Sequence, residues 1–440
     1  MTDIHQIEQE IRQLLQQAPM QQDRLVSVTL PLTGICLDSL PQISDQRYFW
    51  MRPDKGQQWL GLGSAWSTEE HSGQHLGTLA DSASDISSRI DHINPEGCAI
   101  PPRLSLLSKV DSGQLTLPLI QLGCSPQGQQ ITVTPDPLEP DSWSQVLPRL
   151  QHALENTPEP PPGPPELTLH QQAPEAPVWM HLAEQAVRDL SNGHLSKLVL
   201  GRRVTLNAQR SLSAEHLVKA LGVQHTQSTL FAADTGSGCW VGASPEVLLD
   251  IEGLHYYTEA VAGTVRRDPY ETVDTELGEW LMRDRKNRYE HKLVVDSLYS
   301  ALQPISHTLE MEEQPRLLKL RGLQHLHTPL RGELKTQIHP LQIAHELHPT
   351  PAVGGTPKQD AQEWLRLNEP LDRSWFTGLT GWIDTLGDAS LNVVLRCAYL
   401  EQNRVDLYAG AGLVADSDSL SEWEETELKL GNMIKALQDA

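Results

Sequence analysis

The sequence has no pair of cysteines close enough to suggest a metal knuckle or a redox motif. Its five, Cys36, Cys98, Cys124, Cys239 and Cys397, are scattered singly. An odd number without C-x-x-C spacing argues against a disulfide framework or a zinc site and fits a reducing cytoplasm. Basic runs are also missing. With 34 Lys and Arg against 57 Asp and Glu, the formal charge is −23, and no cationic cluster could release phosphate counterions from a nucleic acid. No stretch approaches the roughly 18 uninterrupted apolar residues of a membrane span. The N-terminal MTDIHQIEQEIRQLLQQ lacks the cationic head and apolar core of a signal peptide. The expectation is a cytoplasmic protein with no nucleic-acid or membrane partner. Acidity overall does not exclude an anionic small substrate, because a metal or a few local cations can reverse the field inside a cleft.

What is present suits a large folded core: 440 residues, 38% hydrophobic and 21% charged. Ile4, Ile7, Ile11, Leu14 and Leu15 recur at helical spacing. RLVSVTLPL, QRYFWMR and QQWLGLG read as strands, the last two joined by the turn signal PDKG. TPEPPPGPP, at 157–165, is the sharpest break in composition, either a linker or a surface loop. Beyond it, APVWMHLAEQAVRDL reads as a helix, and LSKLVLGRRVTL, CWVGASPEVLLDIEG and LHYYTEAVAGTVRRD as strands with turns. A long helix is expected from about Asp274 to Leu302, followed by strands in ASLNVVLRCAYLE and RVDLYAGAGLV and a closing helix. Successive strands interrupted by helices, without regular βαβ alternation, predict an α+β fold with largely antiparallel sheets.

Several short stretches carry candidate chemistry. In SEWEETELKLG (421–431), Glu422, Glu425 and Lys429 share one helical face, with Glu424 and Glu427 behind. That face could bind a cation and a carboxylate, or be a solvated surface with a Ser419-x-x-Glu422 capping box. Glu290 lies on the stripe of Leu293, Val294, Ser297, Leu298 and Ala301, where a carboxylate is costly to bury unless paired or metal-bound. Together with the glutamates near 425 it makes an oxygen-only ligand set suited to a hard cation such as Mg²⁺. Lys197 alternates with Leu198 and Leu200. It is either an edge-strand lysine or a buried one, and burial would favour the neutral amine and make it a competent base. Glu246 follows Pro245 in a turn, and the glycine-rich turns AVAGTVRR and YAGAGLVADSDS could cradle an anion or merely join strands. His345 and His348 do not form H-E-x-x-H.

In combination, SKLVLGRR, GASPEVL, TEAVAGTVRRD, KNRYEHKLVVD, LHPTPAVGGTP, NVVLRCA and YAGAGLVADSDSLSEWEETELK make residues 190–435 resemble the chorismate-utilising enzymes. The resemblance implies one domain over 1–440, with two packed, mainly antiparallel sheets and helices outside. Residues 1–155 would be a variable half, 156–166 a Pro-rich surface loop and 175–440 the motif-bearing half. A lysine at position 197 is the mark of isochorismate- and salicylate-forming members, and Ala262 replaces the lysine of aminodeoxychorismate synthases. LGEWLMRDRKN and Asn287 look most like the menaquinone-pathway isochorismate synthases. The resemblance further implies chorismate as substrate, Mg²⁺ as cofactor and no glutaminase subunit. Mg²⁺ would be held by Glu290 and Glu425, with Glu422 acting through a water. Lys197 would be the base and Glu246 the acid. Lys429, Arg396 and the backbone near Gly410 would hold the pyruvyl carboxylate, Gly263 and Thr264 would line the ring-carboxylate side, and His348 would be positioning. Alternatives are a salicylate synthase, a siderophore-pathway isochorismate synthase and a non-catalytic chorismate-binding member. One departure is Phe376, where relatives commonly place a substrate-near tyrosine.

Overall fold

A computed structural model describes residues 4–18, 23–34, 37, 40–43, 45–156 and 163–440. Most of the Pro-rich stretch, 157–162, lies outside the described residues. Strand alternation decides which side chain enters which layer. In Arg47–Arg52, Phe49 points into a core shared with Ile7, Ile11 and Leu437. Tyr48 and Trp50 point the other way and meet Trp59, Leu107 and Trp382. Trp50 and Trp382 pack edge to face at 5.8 Å, and the hydroxyls of Tyr48 and Thr380 lie 2.7 Å apart. These contacts join two sheets face to face through an aromatic layer.

Among the described residues the larger sheet has 13 strands and the smaller 10. Their pairing is antiparallel apart from Leu25–Leu32 against Ile90–Ile93. Each sheet mixes strands from both halves of the chain: Arg47–Arg52 pairs with Thr229–Thr235 in one, and Arg103–Ser108 with Leu379–Asp384 in the other. The helices Ile4–Gln17, Ser142–Glu155, Ala214–Gln224 and Ser419–Asp439 cover the outside of the larger sheet through Ile11, Val146, Leu217 and Met433. His75–Ser88, Arg285–Leu302 and Pro340–Leu347 cover the smaller through Leu79, Leu298 and Leu341. This is the expected α+β class, two mainly antiparallel sheets with helices outside. No helix among the described residues is long and apolar enough to cross a membrane.

CWVGASPEVLLDIEG, read as strands with a turn at Pro245 and Glu246, and ASLNVVLRCAYLE, read without a break, are each divided between the sheets. Gly238–Ser244 belongs to the larger and Val247–Glu252 to the smaller, so the chain crosses at Pro245 and Glu246. Ala389–Val393 and Cys397–Glu401 cross back over Val394, Leu395 and Arg396. Proline cannot donate to a continuing ladder, and Arg396 adopts φ +48°, a left-handed conformation that costs about 1–2 kcal/mol in a non-glycine residue. The crossings are neighbours: Val393 N–H donates to the Glu246 carbonyl at 3.2 Å and Ala243 N–H to the Arg396 carbonyl at 3.1 Å.

The single long helix expected over 274–302 is two, Glu271–Arg283 and Arg285–Leu302. Asp284 stays extended between them, and its side chain accepts the Asn287 N–H at 2.9 Å as an N-cap. Neither proline nor glycine marks this break. It starts a new helix just ahead of Lys286 and Glu290.

Because Trp50 ties both sheets, Trp50→Ala is expected to cost about 3–5 kcal/mol while leaving one cooperative unfolding transition at a lower denaturant midpoint. Far-ultraviolet circular dichroism and intrinsic fluorescence in guanidinium would check this. Two resolved transitions would mean that the halves unfold separately.

Candidate active site

Beside the two crossings lies a small, partly open cleft. Its wall takes Glu246 and Arg396 from the crossings, and Gly263 and Thr264 from an irregularity in the strand His255–Arg266. Glu290 comes from the helix Arg285–Leu302, Gly410 from the strand Arg404–Leu413, and Glu425 and Lys429 from the last helix. All lining residues fall between 199 and 429.

Lys197 stands one layer behind the wall. Its strand is flanked by Arg404–Leu413 and, at the lysine end, Gly355–Thr356, so it is not an edge lysine. Leu198 and Leu200 enter a separate apolar core, whereas the side chain of Lys197 is fully buried with its amine 2.8 Å from Glu290 Oε1. The contact is ionic without a well-aligned hydrogen bond. Gly412 makes room for it: a Cβ there would collide with the Glu290 carboxylate and lie 2.9 Å from Lys197 Cε.

Glu246 is 2% exposed. Burial first, and then the charge of Glu259, pushes it up to about 8, with Lys197 opposing. It therefore holds a proton at neutral pH, and the Thr350 hydroxyl is 3.4 Å from its Oε1. Arg396 is buried and pushed down to about 10 by loss of solvent, with only the more distant charge of Glu425 in its favour. Its side-chain partner is a histidine and not a carboxylate: Nη2 lies 3.0 Å from His325 Nε2. A guanidinium can only donate, so His325 accepts at Nε2 and carries its hydrogen on Nδ1, which faces Thr264 Oγ1 at 3.0 Å. That leaves the Thr264 hydroxyl proton to be given into the cleft. The Thr264 N–H is already taken by Asn287 Oδ1 at 3.1 Å.

Each cleft carboxylate has a lysine. Glu290 has Lys197. Glu425 has Lys429 at 2.6 Å, itself anchored on the Gly410 carbonyl at 2.8 Å. Glu422, outside the wall, has Lys286, with the Ser417 hydroxyl at 2.8 Å. Glu422 is pushed up to about 7 by burial and by the charges of Glu425 and Glu290, against Lys286. The three glutamates thus offer hard oxygen donors whose charge is already balanced by lysines, and no preformed cage of three acidic, histidine or cysteine ligands exists among the described residues. That chemistry fits a hard cation such as Mg²⁺, which commonly uses one or two carboxylates plus an anionic ligand.

The capping box is not formed: Asp418 caps the last helix by accepting the Ser421 N–H at 2.9 Å, and Glu422 turns to Lys286. Glu427 is no idle solvated residue either. It pairs at 2.6 Å with the buried Arg202, whose guanidinium lies over Trp423. His348 does not reach the wall, to which its loop contributes Ala352 and Val353. It is buried with neither ring nitrogen hydrogen-bonded and is pushed down to about 3 by desolvation. The histidine that does line the cleft is His325, missed in the sequence because QHLHT offers only an alternating strand pattern. Phe376 stacks on Tyr408 at 5.6 Å in the wall and brings no hydroxyl there.

The profile of the family described as "Chorismate binding enzyme" matches residues 9–438. The salicylate biosynthesis isochorismate synthase of Pseudomonas aeruginosa is 38% identical over 265 residues, 60% of this chain and 56% of that protein. Isochorismate synthase DhbC of Bacillus subtilis is 36% identical over 272 residues, 60% of this chain and 68% of that one. The aligned part thus spans little more than half the length of the Pseudomonas relative. The structure of MenF, the menaquinone-specific isochorismate synthase of Escherichia coli, superposes with a TM-score of 0.81 at 27% identity, covering 98% of both chains. With its two-sheet fold, its charged cleft and a family match over nearly its whole length, the chain is a member of the chorismate binding enzyme family.

Proposed function

We propose that the protein is an isochorismate synthase, adding water at C2 of chorismate as the C4 hydroxyl departs. The observation that carries this is a proton-holding carboxyl, Glu246, in the same buried site as the amine of Lys197. Exchanging a hydroxyl between two ring carbons takes one group to deliver a proton and another to remove one. Lys197 takes a proton from the attacking water, the ring double bonds shift, and Glu246 protonates the leaving hydroxide, so that one water enters and one leaves. The Lys197–Glu290 pair has to open and the ammonium has to give up its proton before the amine can act as a base.

The substrate is a dicarboxylate, and the site supports two anion positions. Arg396, buried without a carboxylate partner, and Lys429 suit the pyruvyl carboxylate, near Gly410. Gly263 and the Thr264 hydroxyl suit the side facing the ring carboxylate. Glu290 and Glu425, with Glu422 behind them, are the residues that would hold Mg²⁺. When bound, the ion would neutralise and orient the ring carboxylate. Placement in menaquinone biosynthesis is supported by LGEWLMRDRKN, by Asn287 and by the full-length likeness to the Escherichia coli MenF structure.

Chromatography with mass detection of chorismate incubations, with and without Mg²⁺ and ammonium, tests the reading. An isomer of chorismate formed only with Mg²⁺ and indifferent to ammonium is expected. Salicylate with pyruvate, anthranilate, or unchanged chorismate would each overturn it. Glu425→Gln is expected to lower turnover at least about 100-fold and abolish its Mg²⁺ response, whereas the exposed Glu424→Gln changes neither. Equal effects would remove Glu425 from the ion site. Lys197→Ala is expected to lose about 10²–10⁴-fold in kcat while still binding chorismate by calorimetry, and near-normal turnover would reject it as the base.

A further inference from the structure

The motif TEAVAGTVRRD contains a second buried glutamate that the cleft does not expose. Glu259 lies on the strand His255–Arg266, between Val247–Glu252 and Leu323–Leu334. It is 9% exposed and absent from the cleft wall. Its Oε1 accepts the Val247 N–H at 2.8 Å, at the residue directly after Glu246. The pairing of Val247–Glu252 with Ala389–Val393 is irregular between Val247 and Leu249. Oε2 accepts the Tyr257 hydroxyl at 2.8 Å and lies 2.8 Å from His327 Nε2. A carboxylate can only accept, so His327 carries its hydrogen on Nε2. Burial and the charge of Glu259 push Tyr257 up, which keeps its hydroxyl proton in place to donate. Three donors thus converge on one acceptor-only group, fixed directly behind the crossing.

We propose that Glu259 is a positioning residue for the proton donor: it clamps the backbone just after Glu246 and sets a negative charge beside it, so that the donor keeps its proton until the substrate needs it. This rests on the reading of Glu246 as the proton donor of the proposed reaction. The groups that face Glu246 are Glu259, Lys197 from its strand, Lys429 from the last helix and the Thr350 hydroxyl from the loop after Pro340–Leu347. Of these, Glu259 favours the proton and Lys197, Thr350 and Lys429 disfavour it. Burial alone would raise a carboxyl. The charge of Glu259 offsets the two lysines, whose presence the anionic substrate requires.

The sign follows. A proton donor works below its own pKa, so activity falls as pH rises through about 8. Removing the neighbouring negative charge moves that loss to lower pH. Glu259→Gln removes the charge and retains an oxygen for the Val247 N–H, while its amide nitrogen donates where Oε2 accepted, so that Tyr257 and His327 have to turn to accept it. The alkaline limb of its kcat profile is expected to move down by about one pH unit, with KM for chorismate unchanged within about twofold. Glu259→Asp keeps the charge and shortens the clamp, and is expected to lower kcat without moving the limb. A Glu259→Gln profile that superimposes on the wild type, or that falls equally at every pH, overturns the proposal. A readout independent of turnover separates this from failure of the underlying reading. The infrared carboxyl band that disappears in Glu246→Gln should titrate at lower pH in Glu259→Gln, whatever the product. An unmoved band overturns the role of Glu259, whereas full turnover by Glu246→Gln overturns the donor reading and leaves the band to decide the coupling.

Discussion

The site depends on one constraint: two strands must leave one sheet and enter the other, side by side, within the protein interior. At such a crossing the backbone cannot satisfy itself by a regular ladder. The structure closes it with two reciprocal bonds, Val393 to Glu246 and Ala243 to Arg396. Proline removes one donor that would otherwise need a partner, and Arg396 accepts a left-handed φ to complete the turn. The gap between the diverging strands becomes the cleft. The two residues at its corner, a carboxyl and a guanidinium, are desolvated by the same geometry that creates it. Loss of solvent drives them in opposite directions, the acid up and the base down.

Desolvated charge has to be balanced, and the lysine–glutamate pairs show how. Lys197 with Glu290, Lys429 with Glu425 and Lys286 with Glu422 make the site locally neutral pair by pair. Arg396 is the cation whose polar partner is a neutral histidine. On the proposed function, an incoming dianion would find one guanidinium ready and several carboxylates whose counter-ions are already engaged. On that same proposal, Glu290 and Glu425 would hold a hard cation, and Lys197 and Lys429 would then be free to face the substrate. Gly412 is the steric condition for this arrangement, because any side chain there would occupy the space in which Lys197 and Glu290 meet.

Much of this was legible in the sequence where local rules and tertiary demand agree. Leu198 and Leu200 faced a core and Lys197 did not, as period-two alternation requires. Glu422, Glu425 and Lys429 shared a face, as helical spacing requires. The reading went astray where only the third dimension decides. The turn at Pro245 in CWVGASPEVLLDIEG was legible, but ASLNVVLRCAYLE was continuous by propensity, and the division of both between two sheets reflects packing that no strand pattern encodes. The helix break at Asp284 is a cap inside an otherwise helical run, so propensity alone carried the helix through it. His348 was named from the sequence, and His325, which lines the cleft, was missed. His325 sits in an alternating strand and His348 at the end of a helix, and only the fold determines that the first reaches Arg396 while the loop after the second brings Ala352 and Val353 to the cleft.

The described residues before 199 contribute nothing to the cleft wall, yet they bear on the site through the sheets. Tyr48, Trp50 and Trp59 fill the layer against which Trp382 and Leu107 pack. Leu379–Asp384, the strand that carries Trp382, is hydrogen-bonded on one side to Arg103–Ser108 and on the other to Ala389–Val393, which leads into Arg396. The spacing of the sheets at the crossing is therefore set partly by aromatic residues far away in sequence. Close-packed interiors transmit such spacing with little slack, and a proton donor must stand within hydrogen-bond reach of its acceptor to work. The first half of the molecule can accordingly vary in motif and still be constrained in volume, because what it fixes for the site is a distance.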